Sequence, residues 1–264
     1  MRRRLPSDFP RMAEALERLK LTVAYDGRPV AGWQSQAGGN AVQDHIEAAF
    51  AAVGKLKLRI HGSGRTDGGV HALGQVAHVD VPKGRYPPAT WMAALNANLP
   101  HEIRVVRVSR VRGGRDGFHS RFTTKGKRYV YRCWNETYMH PLEIGRAWHV
   151  PRVLNFSHLR EAAAQLIGRH DYRRFTAKRP KDDPNTVRTI HRVSITTRGP
   201  LITLAFEGTG FLYKMVRLMT GSVIRVAEGR APVSYIRDLL SPDKTARTHF
   251  CAPAEGLYLS KVMY

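Results

Sequence analysis

Asp67 is the only acid in residues 62–75, GSGRTDGGVHALGQ, with Arg65 and Thr66 before it and Gly68 and Gly69 after it. An isolated carboxylate in such a loop has two uses. It can cap the turn by hydrogen-bonding its own backbone, the ordinary role of Asp before glycine. It can also act as a nucleophile, because a neighbouring cation favours its charged form. Other chemistries fit less well. The glycines miss the GxGxxG spacing and no Lys-Ser/Thr pair follows, so neither kind of nucleotide cradle is spelled out. His78 and Asp80 share a strand face, but no third metal ligand accompanies them or His71, which favours histidines on the surface or in a groove. There is no GxSxG elbow for serine catalysis. No local acid joins Asp67 to make the carboxylate pair of a glycosidase.

Two further stretches carry chemical potential. HSRFTTKGKRYVYRC (119–133) holds Arg121, Lys125, Lys127, Arg128 and Arg132 without an acid, interleaved with Phe122, Tyr129 and Tyr131. Its rings either face a core or stack on nucleic-acid bases, worth roughly 1–3 kcal/mol per base. Arg217 sits among Met215, Val216, Leu218 and Met219. An arginine buried there needs a carboxylate, since an unpaired buried charge is strongly destabilising. Asp67 is an attractive partner by elimination.

These groups need a scaffold. Alternation predicts strands at 20–27, 56–62, 73–81, 103–111, 187–195, 201–208 and 256–264, so the Asp67 loop joins two strands at a sheet rim. Helical periodicity and end signals predict helices at 40–54, with Asn40 as N-cap, Gln43 at the capping-box position and Gly54 closing the end. Further helices are predicted at 89–100, at 155–168, at 211–229 and near 234–240. Met12, Ala15, Leu16 and Leu19 suggest a short helix in an N-terminal appendage, residues 1–19. Strands and helices mix with the same rhythm in 20–117 and 118–264. That pattern predicts an α+β fold of two similar halves, antiparallel sheets flanked by helices, with a basic cleft between them.

Charge points to the partner. Lys plus Arg number 43 against 21 acids in 264 residues, a formal net charge of +22. Solubility does not require such an excess; a polyanion does, nucleic acid before an acidic membrane. No apolar run of 18 residues exists to span a bilayer. The first residues lack an apolar signal core, and Asp8, Glu14 and Glu17 disfavour a transit peptide. Two cysteines, Cys133 and Cys251, make neither a disulfide framework nor a four-ligand zinc site, so a cytoplasmic setting is expected.

The string GRTDGGVHALGQVAHVD (64–80) closely resembles the active-site motif of the TruA family of tRNA pseudouridine synthases. YDGRPVAGWQSQ (25–36), LNANLP (95–100), FHSRF (118–122), KRYVYRC (127–133), MVRLMTG (215–221) and APAEGLYL (252–259) resemble further family motifs in the family order. The resemblance covers about residues 20–264. It implies the pseudouridine synthase fold and isomerisation of uridine in the tRNA anticodon stem-loop, at positions 38, 39 and 40. It also implies a homodimer without cofactor or metal. Position by position, it implies that Asp67 attacks the uridine, that Arg65 helps to flip the base, that Tyr129 packs on the uracil ring and that Arg217 pairs with Asp67. It places Phe118, His119, Ser120, Arg121 and Phe122 against tRNA. The chain departs from the family pattern at Gly68, where alanine is usual, and at 177–188, which is more basic. Residues 1–19 match no part of the family pattern.

Overall fold

A computed structural model describes residues 15–177, 184–242 and 248–264. The expected class is observed: α+β, organised on one large sheet. The strand order is β4-β1-β3-β10-β5-β9-β8-β7. Its strands are β1 (Leu16–Tyr25), β3 (His71–Pro82), β4 (Ile103–Val111), β5 (Gly126–Trp134), β7 (Gly168–Asp171), β8 (Val187–Arg198), β9 (Leu201–Gly208) and β10 (Leu257–Met263). Two short strands lie off this path: β2 (His61–Gly62) pairs with β3, and β6 (Trp148–His149) with β5.

Neighbouring strands are antiparallel except at two short parallel contacts. One is β6 on β5. The other is the seam between the strand sets, where β10 runs beside the start of β3 through Tyr258 and Leu259 opposite His71 and Ala72. The last strand thus slots between β3 and β5 and makes the two sets one sheet. The Asp67 loop immediately precedes β3 and so enters at this seam.

Helices α1 (Val42–Gly54) and α2 (Pro88–Ala97) pack with the first strands, Phe50 and Trp91 meeting at 5.4 Å. Helix α3 (Phe156–Ala164) packs on α4 (Met215–Ala227), and α5 (Tyr235–Leu240) lies beside α4. A continuous buried core runs beneath all of them, from Leu19, Leu21 and Val23 through Tyr131 and Phe206 to Met219 and Val223. No helix among the described residues is long and apolar enough to cross a membrane.

Several local expectations are corrected. Leu16 and Leu19 lie in a strand, not a helix, because β1 is hydrogen-bonded on both sides, to β3 and β4; Met12 lies outside the described residues. Sheet pairing also fixes Arg18 opposite Asp80, and the two form a bidentate ion pair at 2.7 Å. Of the strand expected over 56–62 only His61–Gly62 pairs. Asn40 does not cap α1: Ala41 holds that position and its N–H is satisfied by Asp44 at 2.9 Å, while Asn40 Nδ2 bonds Pro29 O. Lys55, in the left-handed conformation, follows the helix where Gly54 was expected to close it. His71 and His78 are buried rather than superficial. His71 Nδ1 accepts from Gly27 N–H, Nε2 faces Gly145 O at 3.1 Å and the ring stacks on Tyr258, so its edges and face are all used.

Candidate active site

The loop carrying Asp67 is pinned by its neighbours before and after the carboxylate. Ser63 N–H donates to Val76 O, and Gln75 Nε2 to Gly64 O. Tyr25 and Thr66 share a hydroxyl hydrogen bond of 2.7 Å in the interior, where burial pushes the Tyr25 phenol up to about 12. Trp33 N–H donates to Thr66 O. Gly32 makes this approach possible: its φ is +92°, and a Cβ there would stand 2.5 Å from Thr66 O. The left-handed region and the space both call for glycine.

Asp67 closes a turn with its carbonyl, which accepts from Val70 N–H at 3.2 Å. The carboxylate is left for something else. Its Oδ2 accepts from Arg217 Nη1 at 3.1 Å, across 150 residues of sequence, with the Asp67 side chain 26% exposed and that of Arg217 14%. That geometry separates the two uses of the acid: the turn is made by backbone, and the side chain is held by a cation at an open surface.

Arg217 projects from the first turn of α4 and is itself fixed, its Nε donating to Ala252 O at 2.7 Å. The chain at 250–252 approaches so closely because Gly221, one helical turn on, leaves no room for a Cβ against Phe250 O. Lys214, just before the helix, has φ +59°. That is a left-handed conformation rare for a residue with a side chain and typical of constrained functional segments.

Tyr129 comes from β5. Its ring lies against Phe211 at 5.0 Å, edge to face, and only 8% of the residue is exposed. Burial is the main cause that raises its phenol above the ordinary value, with the nearby Tyr25 and Asp67 adding to it. Among the described residues its hydroxyl has no hydrogen-bond partner.

Asp67, Tyr129 and the residues leading into α4 line one open cleft of about 1450 Å³. Drug-sized ligands occupy pockets of roughly 300–1,000 Å³, so this one suits a larger molecule. Its charged lining is Arg59, Arg65, Arg121, Lys127, Arg188 and Lys214 against Asp67 alone. Arg65 is exposed at the mouth and donates to Gln34 Oε1.

The FHSRF stretch divides. His119, Arg121 and Phe122 line the cleft, His119 and Phe122 stacked at 4.2 Å and Phe122 77% exposed. Ser120 is fully buried, its hydroxyl on His61 O and its N–H on His78 Nδ1. Phe118 packs on Tyr264 at 4.7 Å and does not line the cleft. Beside this stretch His61 stacks on His78 at 5.0 Å, and burial pulls His78 down to about 4. No cluster of three or more His, Cys, Asp or Glu among the described residues could hold a metal ion.

Sequence reading did not single out Tyr25, Trp33, Gln75 or Phe211, whose roles lie in contacts between distant segments. Lys127 was visible only as one basic residue among many. Its period-two spacing with Tyr129 and Tyr131 was the available signal that it shares their face. Residues 178–183 of the divergent basic stretch lie outside the described residues.

Comparison with known proteins gives this arrangement its relatives. The family described as tRNA pseudouridine synthase matches residues 21–122 and 162–264. A protein of Akkermansia muciniphila named tRNA pseudouridine synthase A is 43% identical over 256 residues, covering 94% of this chain and 96% of its own. One of the same name from Bradyrhizobium diazoefficiens is 40% identical over 255 residues, covering 94% and 100%. A Clostridium perfringens protein named tRNA pseudouridine synthase A 2 is 36% identical over 250 residues, again covering 94% and 100%.

Proposed function

The chain belongs to the tRNA pseudouridine synthase family, enzymes that isomerise uridine to pseudouridine in tRNA, and on that premise we propose how its own residues do so. Asp67 is the nucleophile, Arg217 its orienting partner and Tyr129 the platform for the uracil. Residues 20–117 bring the nucleophile and 118–264 complete the cleft. The observation that carries this reading is the 3.1 Å pair of Asp67 and Arg217 beside Tyr129 in a cleft whose other charges are cationic.

The chemistry follows from the arrangement. A paired base must leave its stack to react, which takes a few kcal/mol. Arg65 at the mouth helps the base out and fills its place. Arg217, anchored on Ala252 O, keeps the carboxylate aimed rather than free to rotate, the orientation term that proximity catalysis depends on. Asp67 attacks the flipped nucleotide, at the ribose C1′ or the base C6. The bond from C1′ to N1 breaks, the uracil turns over Tyr129, C5 bonds to C1′, and the C–O bond formed to Asp67 breaks, which returns the free carboxylate. C5 then loses its proton and N1 gains one, so the isomerisation is complete with no net change in atoms or electrons. Phosphate contacts by Arg121 and the other basic side chains hold the strand, while His119 and Phe122 offer stacking surface. Ser120 and Phe118 support that surface from beneath. The anticodon stem-loop, positions 38, 39 and 40, is the expected substrate region. A homodimer and a cytoplasmic location accompany this reading through the family resemblance.

The test uses unmodified tRNA with uridines at 38–40, mapping pseudouridine by chemical labelling and primer extension, with Asp67→Asn alongside. Pseudouridine in the anticodon arm from wild type only is the expected result. The variant should bind tRNA within about tenfold of wild type, because phosphate contacts supply most of the affinity. Normal turnover by the variant removes Asp67 from the mechanism. Silence from both with intact binding makes the protein a binding module or assigns it another RNA.

A further inference from the structure

Lys127 sits two residues before Tyr129 on β5 and faces the same cleft. Its Nζ donates to Ser63 O at 2.8 Å, so the ammonium lies under the start of the Asp67 loop. It fits there because Gly64 has no side chain; a Cβ at that position would collide with Nζ. The other cations of β5 have acids: Arg132 meets Glu143 at 2.8 Å and Arg128 meets Glu207 at 3.5 Å. Lys127 has no carboxylate partner among the described residues, and the charge acting on it is another cation, Arg121. Burial and that neighbour push its ammonium down to about 8.

A desolvated ammonium without a counter-ion is destabilising unless an anion arrives. Lysine carries three donors, and Ser63 O takes one. Two remain for the cleft. Along the strand the Cα atoms of Lys127 and Tyr129 are about 6.8 Å apart, and with period-two spacing both side chains stand on the face that lines the cleft. They are neighbouring stations, one for a phosphate and one for the base beside it. We propose that Lys127 is the seat for one phosphodiester of the RNA strand, the one flanking the target uridine, and so sets which nucleotide lies over Tyr129. This deepens the tRNA pseudouridine synthase reading and rests on it. Lys127 is here a binding and positioning residue; Asp67 and Arg217 keep the chemistry.

The experiment measures binding in the Asp67→Asn background, with an anticodon stem-loop oligonucleotide and two copies carrying a single neutral methylphosphonate, 5′ or 3′ of the target uridine. With Lys127 intact, one of the two should bind about tenfold more weakly than the natural strand, the scale of one charge-assisted hydrogen bond. Lys127→Met should bind the natural strand about tenfold more weakly, lower the salt slope by about one, and no longer distinguish that methylphosphonate. Lys127→Gln, which can still donate to Ser63 O, should behave as Lys127→Met does; full affinity in this variant would mean that Lys127 is only a strut between β5 and the loop. Unchanged affinity and salt slope for Lys127→Met overturns the proposal. So does a loss confined to kcat when the variants are made with Asp67 intact, which would place the ammonium on the reacting base instead. If wild type makes no pseudouridine in this oligonucleotide, the functional reading fails, and the binding arm still decides whether Lys127 holds a phosphate.

Discussion

The two walls of the cleft differ in what holds their functional groups. Residues 63–70 form a loop whose order comes from backbone hydrogen bonds to Val76, Trp33 and Gln75 and from glycines that permit close approach. Its charged side chains, Arg65 and Asp67, are open to the cleft. The other wall, β5 and the start of α4, turns Lys127 and Tyr129 to the cleft while Arg217, outside the lining, reaches Asp67; all three come from regular elements, are largely buried and are each fixed through the side chain. The loop wall holds its carboxylate through backbone contacts and one ion pair, whereas the buried wall supplies charge and a ring from regular elements. A reaction in which a base leaves the stack, turns and rebinds calls for both.

The largest effect should come from breaking the ion pair between the walls. Arg217→Met removes the cation paired with Asp67 while leaving the loop's backbone contacts intact. Misplacement of a reacting group by about 1 Å costs roughly a hundredfold in rate, so single-turnover formation of pseudouridine should fall by at least about that factor. Filter binding should show tRNA affinity within about threefold of wild type, because the phosphate contacts remain. A matching loss of affinity would mean that Arg217 holds RNA rather than Asp67.

The next disturbance acts on the loop wall alone. Gly32→Ala places a Cβ against Thr66 O in a backbone region that side chains avoid, and such strain costs about 1–3 kcal/mol. Urea unfolding should show that loss, and turnover should drop with it because Thr66 and Asp67 are displaced. Gly39→Ala is the contrast: φ is +64° but nothing lies within 4 Å. It should lose some stability with turnover unchanged. Equal turnover in the two variants would show that the loop's placement does not depend on Gly32.

The buried wall answers to pH instead. Lys127 loses its proton near pH 8 in the folded protein but only near 10.5 in the unfolded chain. Between those values the unfolded chain binds more protons, so this group adds stability as pH rises above 8. The tyrosines act in the opposite sense: Tyr25 ionises near 10 when unfolded and near 12 when folded, so its contribution is lost as pH rises beyond 10. Urea midpoints for RNA-free protein should therefore gain less between pH 8 and 10 in Lys127→Met than in wild type. At pH 7 the variant, freed of a desolvated charge, should be no less stable than wild type. A variant with the wild-type pH slope would show that Lys127 is not held away from water.

The same contrast governs what could be read from sequence. The loop wall is contiguous, so Arg65, Asp67 and their glycines stood out together, and β4 was read with its observed bounds, Ile103–Val111, because its alternation is clean. The buried wall is dispersed. Only the need of a buried arginine for an acid, together with the family resemblance, suggested Arg217 for Asp67. Nothing local shows that Gly64 makes room for Lys127, or that Ser120 lies beneath the cleft wall while Phe122 lies on it. Leu16 and Leu19 misled because helical spacing and strand alternation overlap in short apolar runs, and pairing on both sides of β1 decides between them. The buried His71 and His78 are likewise explained by partners from 27, 120 and 145 that no sequence window contains.

The smallest expected effect probes whether the loop wall is as tight at Asp67 as behind it. Gly68 follows Asp67 and stands where the family usually has alanine. Its φ is not in the left-handed range, and a Cβ there would meet nothing closer than 3.7 Å, the carbonyls of Ala31 and Val30. Glycine is therefore required neither by conformation nor by space. Gly68→Ala should leave the turn intact and stabilise the protein by about 0.4–1 kcal/mol, chiefly by restricting the unfolded chain. If the carboxylate is positioned by Arg217 and by Thr66 rather than by freedom at 68, single-turnover rates should stay within about twofold, a barrier change of roughly 0.4 kcal/mol. A stabilised variant with a clearly lower rate would show instead that motion at Gly68 is used in the reaction, and that the loop wall is ordered up to Thr66 but mobile just after Asp67.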